Sequence, residues 1–281
     1  MDTNNTYIND PDSPGELARL DHQEQLVQEA TRLLPRNVAN TSFTNVLDIG
    51  CGAGRWVLDM AFFYPDAEVA GIDCNKTLVD YANARARSQR LTNASFGLAD
   101  ALDPEGLPFG PASFDLIHLR FAAGWLLPDA WDELLTRCYD LLIDGGYMVV
   151  TEGEGMYTSS SALNKLYQLL CLAMYETRRS PSQNPNFLGV AARLGYLLTT
   201  LGYKEVRGEA GMLDYSFYHP EANHQWRDNF RMLIHETAPF FMAANVATPR
   251  ELAELSQQID IQMFQQDFYG IGSLFTFYGQ K

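Results

Sequence analysis

Between residues 44 and 152 the apolar positions fall into short unbroken runs, each followed by a longer stretch with helical spacing. Val46–Ile49, Glu68–Asp73, Ala94–Ala101, Ser113–Phe121 and Tyr147–Glu152 are the runs. Runs without alternation predict strands covered on both faces, as in a parallel sheet. Val57–Phe63, Leu78–Arg90 and the stretch opening at Pro128-Asp129-Ala130 and reaching Leu142 predict helices, the last stopped by Asp144-Gly145-Gly146. The pattern is that of an α/β domain.

The flanks are patterned differently. Residues 1–15 read as extended chain, rich in Asn, Asp and Pro, and Glu16–Leu34 has helical spacing through Leu17, Leu20, Gln23, Val27 and Ala30. After Gly153 an apolar helix is predicted over Ser159–Arg178 and a loop over Ser180–Pro185. A second helix follows over Phe187–Leu201, ended by Gly202, and then a strand over Tyr203–Gly208. His219–Phe268 reads as helical with breaks at Pro220, Pro239 and Pro249, and Ser273–Tyr278 as a final strand.

The chemistry concentrates after the first run, in Asp48-Ile49-Gly50-Cys51-Gly52-Ala53-Gly54-Arg55. Glycine belongs where a chain turns sharply or must lie against a ligand, because a Cβ blocks both. The turn also lies at the carboxyl end of a strand, where open α/β sheets bind ligands. A dinucleotide site wants G-x-G-x-x-G, but here the third glycine comes one residue early and Arg55 takes its place. Asp48 before the loop would repel a phosphate and suits a cationic group. Asp73 lies about twenty residues past the glycines, where a carboxylate can take both hydroxyls of a ribose.

The D-x-G-C-G-x-G pattern resembles motif I of the class I S-adenosylmethionine (SAM)-dependent methyltransferases. The strand ending Ala99-Asp100-Ala101, the Phe114-Asp115-Leu116-Ile117 run and the Gly145-Gly146 turn are similar to further landmarks of that family. The resemblance is firm over residues 44–152 and looser over 187–210 and 271–281. It implies a Rossmann-like seven-stranded sheet, six strands parallel and the last antiparallel, flanked by helices and carrying a helical cap. It implies SAM as cofactor and S-adenosylhomocysteine as product. The loop of Gly50, Cys51, Gly52 and Gly54 would pack on the methionine and ribose, with Asp48 near the amino group and Cys74 beside Asp73. Asp100 would meet the adenine amino group, with the backbone of Ala101 against the ring. Leu119, Arg120 and Phe121 would lie beside the transferable methyl. Arg120 reads equally as half of a salt bridge to a nearby acid. Tyr7 and the Gly15–Gln23 segment resemble the lid that covers cofactor and substrate in small-molecule methyltransferases.

Composition narrows the partners. The 281 residues carry a formal net charge of −15, against a nucleic-acid partner, whose phosphates need a basic surface. The four cysteines, Cys51, Cys74, Cys138 and Cys171, form no C-x-x-C pair, so neither a zinc site nor a disulfide framework is expected. No apolar run reaches transmembrane length. The expectation is a cytoplasmic protein, monomer or homodimer, with a small-molecule substrate and no metal or membrane.

Proton acceptors for the methylated atom are sought among His118, Glu152, His219 and His235. His118, inside a strand, reads first as a satisfied core histidine and only second as a base. The substrate is expected among Tyr7, Phe121, Trp125 and Tyr157. Two excursions, 153–186 and 211–270, would form the cap beyond the 44–152 core, the 1–43 lid and helix, and the core pieces 187–210 and 271–281. Their many aromatic residues suit a largely apolar acceptor, aromatic or terpenoid, methylated on O, N or C. The rivals are a SAM-binding regulatory or degenerate module without catalysis and, disfavoured by the early third glycine, a nicotinamide oxidoreductase.

Overall fold

A computed structural model describes residues 7–103 and 105–281, except the side chains of Glu29 and Ala30. The expected extended start is therefore described only from Tyr7 onward, and residues 1–6 lie outside the described residues. Helix α1 (Pro14–Ala30) leads into strand β1 (Asn45–Ile49), helix α2 (Arg55–Phe63), β2 (Glu68–Asp73), α3 (Lys76–Gln89), β3 (Ala94–Leu98) and β4 (Phe114–Arg120). There follow α4 (Trp131–Leu141), β5 (Leu142–Thr158), α5 (Ser161–Glu176), α6 (Val190–Thr200), β6 (Lys204–Asp214), α7 (Pro220–Ala243), α8 (Pro249–Met263) and β7 (Gly270–Gln280).

The strands form one sheet in the order β3-β2-β1-β4-β5-β7-β6. Only β7 runs against the rest. Successive residues bury on opposite faces. Leu47, Ile49, Ile117, Leu119, Met148 and Val150 pack with α4 and α6. Val46, Leu116, Val149 and Tyr278 pack with α2 and the 34–43 segment on the other side. Around β1 and β4 both faces are covered by these clusters, which is why the sequence there shows runs rather than alternation.

The chain departs from the expected boundaries where long-range pairing decides them. Strand β5 continues past Glu152 to Thr158 because β7 pairs with it from Tyr147↔Gln280 to Thr158↔Gly270. Strand β6 likewise follows β7 to Asp214↔Ile271. Gly145 (φ +80°) and Gly146 sit in a register shift, so that Phe114 meets Leu142 and Leu116 meets Tyr147. Helix α1 stops at Ala30, short of Leu34: Thr31 is already extended, at φ −127° and ψ 167°, and its hydroxyl donates to the Val27 carbonyl at 2.8 Å. Pro239 does not break α7. The carbonyl it leaves without an amide partner is that of His235, an exposed residue, while Trp226, Phe230, Ile234 and Phe241 hold the buried face.

A second core forms above the β5–β7–β6 ribbon. There Leu26 and Val27 of α1 meet α5, α7 and α8 around Tyr215, Trp226, Phe230 and Phe268. The aromatic residues of this cap largely pack on each other; the Tyr215 ring, for example, lies 5.4 Å from that of Phe230. No helix among the described residues is long and apolar enough to cross a membrane.

Candidate active site

The turn after β1 places its glycines in the left-handed region, Gly52 at φ +53° and Gly54 at φ +80°. The two serve different ends. A Cβ on Gly54 would meet the Phe96 ring at 2.6 Å and the Ala82 methyl at 2.7 Å, so glycine there lets α3 and β3 close on the loop. A Cβ on Gly52 would meet nothing within 4 Å. Instead the Gly52 N–H donates to Asp73 Oδ2 at 3.0 Å, and the Asn75 N–H donates to Asp73 Oδ1 at 2.8 Å. Asp73 is thereby fixed beside open space with lone pairs left on both oxygens. Burial raises its carboxyl above the ordinary range, against the pull of the two amides.

Cys74 follows at the same strand end, its thiol pushed up to about 11 by desolvation and by the Asp73 and Asp100 carboxylates. Asp100 is exposed and accepts the Leu102 N–H at 2.8 Å, while Ala101 is buried behind it. Cys51 is buried, which raises its thiol strongly. A Cβ on Gly50 would lie 3.3 Å from the Trp125 indole, which therefore covers the loop from the other side. Gly52, Asp73, Cys74, Asp100 and Trp125 thus surround a cradle at the carboxyl ends of β1, β2 and β3. Among the described residues no group of His, Cys, Asp and Glu is arranged to hold a metal ion.

Asp48 already has a protein partner. It is buried and lies 2.8 Å from Nδ1 of His118, its neighbour in the β1–β4 register. The His118 ring stacks on Trp56 at 3.9 Å. Burial lowers the imidazole's pKa even though Asp48 favours the charged form. The bond to Asp48 assigns the proton to Nδ1 and leaves Nε2 as an acceptor. Leu119 lies on the opposite face of β4, buried in the core that packs on α4. Arg120 donates to Glu24 Oε1 of α1 at 2.6 Å, and Glu24 Oε2 accepts the Arg55 N–H at 3.2 Å. The salt-bridge reading of Arg120 therefore holds, with α1 tied to the start of α2.

Strand β4 exits through Phe121, at φ +55°, into a short turn over Ala122–Gly124. Glu152 lies buried beneath it and accepts the Ala123 N–H at 3.1 Å. Desolvation pushes its carboxyl up to about 8.

The chain before α1 lies across this exit. The Ile8 N–H donates to the Gly124 carbonyl at 3.0 Å, and the Tyr7 ring borders Gly124. Asn75 Nδ2 donates to the Pro11 carbonyl at 2.5 Å, and Ser13 Oγ donates to Glu236 of α7 at 2.8 Å. Tyr7 donates to Glu16, which also takes two N–H groups from Arg19, at 2.6 and 2.7 Å, with both charged residues buried. Tyr7 thus borders the turn between Phe121, which packs with the second core, and Trp125, which packs against Gly50.

Tyr157, His219 and His235 do not come together. Tyr157 is 63% exposed on the ribbon. His219 and His235 are exposed and stand sixteen residues apart along α7, roughly 24 Å at 1.5 Å per residue, too far to share a pocket. Sequence reasoning missed Glu24, Trp56 and Asn75. Glu16, Arg19 and Gln23, spaced for one helix face, carried the signal for the buried ion pair.

A cavity of about 350 Å³ lies on the α2 side of the sheet, between strands β4, β5, β7 and β6 and the segment 31–36. His118 and Arg120 line it.

Residues 46–146 match a family model described as a methyltransferase domain. The chain is 35% identical over 107 residues to methyltransferase str2 of Strobilurus tenacellus, covering 38% of this chain and 34% of that protein. It is 39% identical over 166 residues to trans-aconitate 2-methyltransferase of Methylobacterium radiotolerans, covering 58% of this chain and 56% of that one. The chain thus spans between about a third and just over half the length of these curated relatives. Among solved structures, phosphoethanolamine N-methyltransferase 2 of Haemonchus contortus aligns with a TM-score of 0.52 at 18% identity, over 92% of this chain and 53% of that one. This likeness is one of fold.

Proposed function

We propose that the chain is a class I SAM-dependent methyltransferase that moves a methyl group from SAM to an O, N or C atom of a small molecule, a reading supported by the methyltransferase-domain match and by the relatives that share it. The observation that carries the reading is the cradle at Gly52, open where a Cβ would stand, with the Asp73 carboxylate fixed beside it by the Gly52 and Asn75 amides. A ligand that must lie on backbone and present a vicinal diol fits that arrangement. Asp73 takes the ribose hydroxyls, Asp100 and the Ala101 backbone face the adenine, and Gly52 admits the methionine side. The bound cofactor supplies an electrophilic methyl on a sulfonium, which a nucleophile displaces in line.

The protein's own part is positioning, exclusion of water and, for a protic acceptor, removal of a proton. Tyr7 to Ser13, bonded to Gly124, Asn75 and Glu236, supports the role of a lid over the strand-four exit. His118 is the proton acceptor with the best-defined geometry, since Asp48 fixes its tautomer and Nε2 is left to accept. The small-molecule relatives support an acceptor of that size. The cap aromatics lend no weight to an apolar acceptor, because they are largely occupied with one another.

The test is calorimetry with SAM and NADH on the purified chain, followed by mass spectrometry of small-molecule extract incubated with methyl-labelled SAM. Saturable SAM binding and one labelled methyl in a small product are expected. Saturable NADH binding without SAM binding would overturn the assignment, and SAM binding with no labelled product would favour the non-catalytic module.

A further inference from the structure

The cavity under residues 31–36 is lined by three arginines. Its 350 Å³ falls in the range of small-molecule sites. In a chain of net charge −15, its lining brings together Arg32, Arg36 and Arg120 against a single carboxylate, Glu209. Glu209 is turned to the backbone and accepts the Arg36 N–H at 3.2 Å. Arg32 and Arg36 stand exposed and have no ion pair among the described residues. At the inner end Arg120 gives one N–H to Glu24 and keeps the other donors of its fork.

Beside it, the Thr151 and Thr276 hydroxyls share a hydrogen bond of 2.8 Å, which leaves one hydroxyl hydrogen to give. Exposed arginines on an open surface are ordinarily just solvated. Here they border the same concave space as a mostly buried guanidinium and a hydroxyl pair, and a guanidinium fork matches the geometry of an oxyanion.

We infer that this cavity binds the oxyanion end, carboxylate or phosphate, of a small molecule, with Arg32 and Arg36 at its mouth and Arg120 and the threonine pair within. That the molecule is the methyl acceptor rests on the proposed methyl transfer; the binding itself does not. The position agrees with that role, because Arg120 is linked through Glu24 to the first residue of α2, directly after the glycine loop.

The test is titration calorimetry on the full chain at low salt with citrate, glycerol 3-phosphate and uncharged triethyl citrate, with SAM titrated on the same samples. At least one anion should bind saturably and the triester should not; which anion binds tells carboxylate from phosphate. The exposed pair Arg32→Gln and Arg36→Gln should weaken that anion by about ten-fold or more at unchanged SAM affinity. Glu209→Gln should tighten it, a second readout should the double variant fail to fold. Binding of neither anion, equal binding of the triester, or anion affinity indifferent to both sets of substitutions would overturn the inference. Failure of SAM to bind while an anion binds would overturn the cofactor reading and leave the cavity standing.

Discussion

The two halves of the sheet are built on different principles. From β1 to β4 the site is local: Gly52 meets Asp73, Asp73 meets Asn75, and Gly54 meets Ala82 and Phe96. From β5 onward, and over the N-terminal segment, contacts join distant chain. Ser13 meets Glu236, Arg120 meets Glu24, and the ribbon pairs Thr158 with Gly270. The first half makes its cradle from backbone amides and absent side chains. The second makes its surroundings from buried ion pairs and packed aromatics. The two should therefore fail independently.

The largest effect is expected at the N-terminal segment. Arg19→Met leaves Glu16 buried with its charge unpaired, which costs about 3–5 kcal/mol. Thermal unfolding should shift strongly downward, while any protein still folded binds SAM with near-native affinity. If SAM affinity fell in step with stability, the halves would not be separable.

Next come the glycines, which sharpen the contrast within one loop. Gly52→Val puts a β-branched residue at φ +53° but meets no neighbouring atom, so it should still fold at a modest cost in stability, and lose about 100-fold in SAM affinity, about 2.7 kcal/mol. Gly54→Val should instead destabilise the fold, because Phe96 and Ala82 stand in the way. Equal losses of stability in the two variants, measured by denaturant titration, would erase the distinction.

The same division explains what the sequence discloses. Short-range geometry is written in residue types: three left-handed glycines and an acid at fixed spacing make the cradle legible from residue order alone. The ends of β5, β6 and β7 are not legible that way, because each is set by a partner strand far along the chain. Asp48 is hidden for a related reason. Its position before the glycines suits a cationic ligand group, but the strand register puts His118 against it. His219 and His235 group together by residue type, and one straight helix holds them apart. Arg120 reads two ways until α1 brings Glu24 to it.

A smaller effect is expected from Asp73→Ala. It removes the carboxylate proposed to take the ribose diol and strands the Gly52 and Asn75 amides, and should weaken SAM by about 1–3 kcal/mol in calorimetry. The acceptor half should not notice. Anion affinity in the 31–36 cavity should stay at its native value, and a parallel fall would mean that the cradle and that cavity are one site.

The smallest effect tests how the second half holds the strand-four exit. Glu152 is buried under the Ala122–Gly124 turn with its carboxyl pushed up to about 8 by desolvation. Its unfolded value lies near 4.5, so between the two the folded protein holds a proton that the unfolded chain has released. The sign follows: this group's contribution is fully favourable below about pH 4.5, is lost as pH rises through 8, and is constant above. Between pH 7 and 8 the loss is about 1 kcal/mol. Glu152→Gln keeps an oxygen for the Ala123 N–H and cannot ionise. The native protein should therefore lose stability relative to the variant across pH 7 to 8, with the gap levelling off above. Denaturant titrations of both proteins at several pH values read this directly. Parallel pH profiles would show that Glu152 is already ionised in the folded state, and that the turn rests on a charged carboxylate.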